Sequence, residues 1–214
     1  MNRPTPSPRP PRHFNLVARV LHWSMALAIL AMLFVGIGMV ASLSLRPVLV
    51  DLHRPLGIAI LLLVIVRLIN RLRHPPPPLP ADLPRAHAFA ARASHWLLYT
   101  LMFAMPLAGW SMLSAGGYPV TIFKGFALLP IAPHHATIYA VLRSAHTWLA
   151  LLLFATVLMH LAAALFHAWV RRDGVFASMA RGALALPPPA AADADLESVE
   201  DKPIAPAPTN QRQQ

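Results

Sequence analysis

The chain has no cysteine. That excludes a disulfide framework, thiolate ligation of zinc or iron–sulfur clusters, a cysteine nucleophile and covalent haem attachment through Cys-x-x-Cys-His. Charge is also scarce: 12% of 214 residues are Asp, Glu, Lys or Arg, against 57% apolar. A soluble domain carries about 25% charged residues, so this chain lacks the side chains to cover a water-facing surface and reads as a membrane protein. Acid is scarcest, with 8 carboxylates against 18 Lys and Arg, a formal charge of +10. The basic residues flank apolar segments rather than lining a polar helix or tail, so they reflect membrane topology and exclude nucleic acid as a partner.

What the chain has in quantity is long uncharged runs. About 20 apolar residues at 1.5 Å each cross a hydrocarbon core of about 30 Å. Residues 20–45, 93–123 and 144–170 qualify, and a fourth segment, 48–72, is uncharged from Pro55 to Val66, with its charges at interface depth where they snorkel. The expectation is an all-α, integral membrane four-helix bundle, with helices about 15–42, 48–72, 86–113 and 139–170 inside a domain of residues 14–186. Residues 1–13 form a basic N-terminal arm. The stretch 187–214, rich in proline and alanine and holding most of the acids, is expected to be a disordered tail.

Basic residues are denser in the arm, in the second loop (Arg67, Arg71, Arg73, Arg85, Arg92) and after the last span (Arg171, Arg172, Arg181) than on the other side. Both termini are therefore expected to be cytoplasmic, with a lipid bilayer as the surroundings. The first span is read as an uncleaved anchor although Val40-Ala41-Ser42 resembles a signal cleavage site, because its apolar run is long and contains His22 and Trp23. Pro75 to Pro78 stop the second helix, and residues 116–135 form a long outer loop.

Of eleven histidines, six lie in these spans: His22, His53, His95, His146, His160 and His167. Ionisable groups in a bilayer are costly and by default mark function. His146 and His160 are 14 residues apart, about 21 Å of rise and within about 40° of a whole number of turns. One helix face thus carries an imidazole near each membrane surface, as two stacked haems require. His53 matches the depth of His146. By depth alone either His22 or His95 can face His160; His22 is preferred, and the other then stands beside the inner haem. Two imidazoles on one iron leave no position for oxygen, so the metal moves electrons rather than activating a ligand. A histidine-lined zinc or copper transporter is the competing reading, but apart from Asp51 the spans lack the carboxylates it would use.

His167 lies seven residues beyond His160, about 20° round, and with His95 could form a proton-linked quinone pocket; the alternative is a histidine wetted by headgroups. Arg54, Lys124 and Arg143 sit next to the outer histidines or in the loop over them, where cations steer a small anion or pair with haem propionates. Arg19, Arg67 and Arg71 offer the same propionate contacts at the inner end, or act as positive-inside anchors. The five tryptophans and nine methionines are read as interface anchors and core filler.

Several stretches, taken in order, resemble the bacterial cytochrome b561 family, and within it the superoxide oxidase branch. They are Leu21-His22-Trp23, Leu52-His53-Arg54-Pro55-Leu56-Gly57, Arg67-Leu68 with Arg71, Ala91-Arg92-Ala93-Ser94-His95 with Tyr99, Gly117-Tyr118-Pro119, Ala145-His146-Thr147-Trp148 and Met159-His160. They cover about residues 14–180. The resemblance implies two haem b groups, with iron ligands His22 and His160 on the cytoplasmic side and His53 and His146 on the periplasmic side. It also implies electrons entering from superoxide and leaving to ubiquinone, with His95 and His167 near the quinone. Relatives often carry a basic residue in the outer loop where Tyr118 stands here. A second reading is a b-type subunit that relays electrons between a partner dehydrogenase or hydrogenase and the quinone pool.

Overall fold

The computed structural model describes residues 13–77, 83–123 and 125–180. The expected N-terminal arm, Lys124 and the C-terminal tail fall outside them, apart from His13. Four helices are long and apolar enough to cross a membrane: α1 (Leu16–Ala41), α2 (Arg46–Arg73), α3 (Arg85–Ala115) and α4 (Ala136–Leu165), the last continued by a π-helical turn over Phe166–Arg171. A short helix, α5 (Val175–Ala180), follows.

Local chemistry accounts for where these helices begin and end. Asn15 caps α1, its side-chain oxygen accepting from the Ala18 amide at 2.6 Å. Pro47 lies in the first turn of α2, where the missing N–H costs nothing, so the helix starts slightly before the expected residue 48. His135 caps α4 through Nδ1, which accepts from the Thr137 amide at 3.2 Å. At the end of α3, Tyr118 N–H bonds Leu113 C=O at 2.9 Å and Gly117 N–H bonds Ser114 C=O at 3.1 Å. This is a Schellman close, and it needs the left-handed residue supplied by Gly117 at φ +73°.

The loop that follows is not irregular throughout, as its Gly and Pro content suggests. Residues Val120–Phe123 (β1) and Phe126–Leu128 (β2) form a small antiparallel hairpin turned through Gly125 at φ +84°. Val120 is buried, and β1 packs against α2 and α3. The loop beyond is fastened to α3: Trp110 Nε1 donates to Leu129 C=O at 3.0 Å, and the buried Ser114 hydroxyl donates to Trp110 C=O while accepting the Ile131 N–H at 3.1 Å.

The bundle consists of two helical hairpins. α1 packs on α2, α3 packs on α4, and α2 against α3 joins them. Their common core is Met25 and Ile29 from α1, Ile60, Leu61 and Val64 from α2, and Tyr99 and Met102 from α3. The opposite faces carry exposed Leu27, Phe34, Val40 and Trp169, the apolar exterior that a bilayer covers. α1 is not closely packed on α4, nor α2 on α4. The hairpins thus leave a gap lined by α1, α2 and α4, and the histidines face one another across it. Four such helices make this a multi-pass membrane protein.

Replacing Ser114 by alanine removes its bond to the loop and leaves the Ile131 amide without a partner, a loss of about 1–3 kcal/mol, while the Trp110 anchor remains. Thermal unfolding in detergent is expected to show a lowered midpoint and earlier proteolysis between residues 129 and 134. An unchanged midpoint would mean the loop is not held through this hydroxyl.

Candidate functional site

Two imidazole pairs bridge the gap, one towards each end. At the end where α1 begins, rich in arginine, the rings of His22 on α1 and His160 on α4 have centroids 6.3 Å apart and an interplanar angle of 68°. At the end covered by the β-hairpin, His53 on α2 and His146 on α4 are 6.1 Å apart at 67°. The helices that fail to pack closely are thus the ones these side chains link. Two metal–imidazole bonds of about 2 Å, with the ring radii on either side, put bis-imidazole centroids about 6.3 Å apart.

The surroundings of the outer pair favour the same use. Nδ1 of both His53 and His146 is buried without a hydrogen-bond partner, and so is Nε of Arg54. Among the described residues, Arg54 has a single long contact of 3.9 Å to Asp51, whose side chain is 79% exposed. A small cavity of ≈ 70 Å³ is lined by His53, Arg54 and His146, with Val120 of β1 also in its wall. The His146 ring lies against the backbone of α3 beside the Met105 carbonyl, without a closed bond. Gly109 permits this, because a Cβ there would stand 3.2 Å from His146 Cε1.

At the arginine-rich end the site has three histidines rather than two. The His95 ring is 5.4 Å from that of His160. Its Nδ1 donates to the Ala91 carbonyl at 2.6 Å, which fixes the proton there and leaves Nε2 as the free nitrogen. Arg67 donates to the Ala18 carbonyl at 3.2 Å and lies against the Tyr99 hydroxyl, while Arg71 sits over the Tyr99 ring at 5.5 Å. Buried Tyr99 therefore holds two of the cations picked out in the sequence, a link that spacing alone does not reveal.

Other candidates are placed elsewhere. Arg19 is taken up by the C-terminal end of α5: Nε donates to Met179 C=O at 3.3 Å and Nη2 to Ala180 C=O at 3.1 Å, with Trp23 Nε1 also on Met179 C=O at 3.4 Å. Arg143 is exposed in a separate groove with Tyr139, Thr147 and Trp148, so of Arg54 and Arg143 it is Arg54 that the structure brings to the histidine pair; Lys124 lies outside the described residues. His167 is on the π-helical turn, and its Nδ1 donates to Asp173 Oδ2 at 2.6 Å. The same oxygen accepts from Arg171 Nε at 3.0 Å, and Oδ1 accepts the Val175 N–H at 3.2 Å. Burial alone would raise the Asp173 carboxyl, but the bonds from His167, Val175 and Arg171 outweigh it and hold the group below its ordinary 3.8. The sequence reading missed Asp173, although a lone acid after Arg171 and Arg172 in an acid-poor chain was a signal for it.

Residues 13–182 match the family model described as prokaryotic cytochrome b561. "Cytochrome b561 homolog 2" of Escherichia coli (strain K12) is 31% identical over 180 residues, covering 79% of this chain and 92% of that protein. "Probable superoxide oxidase CybB" of Yersinia pestis is 29% identical over 164 residues, covering 74% and 90%. "Cytochrome b561 homolog 1" of the same Escherichia coli strain is 28% identical over 129 residues, covering 60% and 73%.

Gly109→Val adds branched bulk where even a Cβ is tight, and is expected to drive His146 out of register with His53 at a strain of about 1–3 kcal/mol. Gly109→Ala should be accommodated by a shift of the ring. In the purified variants a pyridine haemochrome assay should show a lowered haem content for valine and near wild-type content for alanine. Equal content in valine and wild type would remove Gly109 from the outer site.

Proposed function

Because this chain belongs to the prokaryotic cytochrome b561 family and is a membrane b-type cytochrome, we propose that it carries single electrons through two b haems from superoxide at the periplasmic face to ubiquinone at the cytoplasmic side. The observation that carries the proposal is the pair of imidazole bridges, at 6.3 Å and 6.1 Å, at opposite ends of one gap. His22 and His160 hold the inner haem and His53 and His146 the outer one. The 5.4 Å between His95 and His160 is too short for an iron between them, which supports His22 as the inner ligand. When bound, haem iron between two imidazoles accepts and returns one electron while offering no open position to oxygen.

The remaining work falls to the chain's own groups. Arg54, with a buried unpaired Nε beside the outer histidines, is the cation for an anion there, whether a propionate or arriving superoxide. Arg143, three residues before His146 in the sequence, and Lys124, in the loop between α3 and α4, are the further cations that raise the encounter rate of a small anion. The name of the Yersinia pestis relative supports superoxide as the donor. At the inner end, Arg67 and Arg71, clamped by Tyr99, face the inner propionates; Arg19 contributes by fastening α5. His95 and His167 serve the quinone. The arginine-rich end, where α1 begins and α5 ends, lies in the cytoplasm.

Protein purified with adequate haem supply should contain about two b haems per chain, reduced by superoxide and reoxidised by a soluble ubiquinone in the same cuvette. Two haems silent to superoxide would favour the relay from a partner dehydrogenase or hydrogenase, and no haem would return the histidines to metal transport. His22→Ala and His146→Ala should each remove one haem, and His95→Ala should keep both. If His22→Ala kept two while His95→Ala lost one, the inner ligand pair would be wrong.

A further inference from the structure

The segment after α4 does not leave the bundle. Beyond Arg171 the chain turns through Arg172, at φ 50°, and Gly174, at φ +77°, and α5 packs back on the π-helical turn and α4. Its far end reaches α1, where Arg19 and Trp23 hold the carbonyls of Met179 and Ala180. Residues 172–180 are therefore a strap from α4 to α1, across the same gap that His160 and His22 enter from those two helices. At the root of the strap is the bond between His167 and Asp173.

Two features make this bond more than a fastening. First, the chain is poor in acid: Asp51 and Asp173 are the carboxylates among the described residues, and Asp51 is largely exposed. Second, both partners are largely withdrawn from water, with side chains 19% and 11% exposed, and both carboxylate oxygens are engaged. A carboxylate is an acceptor without a proton to give, so it fixes the histidine proton on Nδ1 and leaves Nε2 as the nitrogen that can gain and lose a second one. The carboxyl sits below its ordinary 3.8, so it remains ionised at neutral pH.

We propose that Asp173 is a positioning residue for His167, and that the two form a proton-delivery dyad for quinone reduction at the arginine-rich end of the bundle. The inference rests on the reading of quinone as the acceptor. Reduction of a quinone to a quinol takes two electrons, which arrive singly along the electron path, and two protons. His167 gives its Nε2 proton to a quinone carbonyl oxygen, keeps Nδ1–H on Asp173, and is reprotonated from water at the end of the bundle. The second proton follows the same route with the second electron. Asp173 touches neither quinone nor haem and acts through the imidazole it orients.

The test uses the full-length holoprotein in detergent, reduced with dithionite freed of excess and mixed in a stopped-flow instrument with a short-chain ubiquinone. Asp173→Asn is expected to retain both haems, to lower the maximal reoxidation rate by about tenfold or more, and to leave the quinone KM within about twofold, because binding does not need the carboxylate. Its solvent deuterium isotope effect should rise as proton transfer becomes limiting, and Asp173→Glu should recover much of the rate. If Asp173→Asn loses haem, Asp173→Ser takes its place under the same criteria. A wild-type rate and isotope effect would overturn the dyad, as would a slow variant with an unchanged isotope effect and no recovery by glutamate, or haem loss in both replacements. If the wild-type protein is not reoxidised by ubiquinone at all, the quinone reading itself fails, and that result is distinct from a variant that behaves as wild type.

Discussion

Everything in this molecule depends on the cost of placing imidazoles in hydrocarbon. A polar ring there must find a partner or a role, because lipid offers neither hydrogen bonds nor solvation. The bundle meets this constraint by leaving apart the helices that carry the rings. α1 packs on α2 and α3 on α4, while α1 and α2 stand off from α4, and His22, His53, His146 and His160 meet across the space between. The apolar packing that joins the helices lies in the core around Val64, Tyr99 and Met102.

The two ends of the gap differ in how they treat charge. At the hairpin end, the buried Arg54 Nε and the two histidine Nδ1 atoms are unpaired, and β1 covers them. At the arginine-rich end most polar groups are already engaged: Arg67 and Arg71 by Tyr99, Arg19 by the α5 carbonyls, His95 by Ala91, and His167 by Asp173. Such an end is preorganised, with the His95 proton set on Nδ1 and a carboxylate beside His167. The contrast suits the proposed division between capture of an anion at one end and proton-linked reduction at the other.

Much of this was legible beforehand. The four spans follow from charge-free runs, and the 14-residue interval between His146 and His160 follows from the helical period, both of them local properties of the chain. The β-hairpin was less legible: its strands are only four and three residues long, and burial of Val120 under α2 and α3 holds them rather than any alternating pattern. α5 was hidden for a similar reason, since six residues make no stable helix without the tertiary contacts that Arg19 and Trp23 provide.

By itself the sequence determined a membrane bundle of four helices with histidines at two depths, because composition, hydropathy and helical rise act over short stretches of chain. The tertiary structure alone decided that the His22 and His160 rings stand 6.3 Å apart while His95 comes within 5.4 Å of His160. It also decided that Arg54 rather than Arg143 lines the outer pair, and that Arg19 fastens a strap. Those outcomes depend on how one helix is rotated and shifted against another. That rotation is set by the packing of many residues distant in the chain, which no local period encodes.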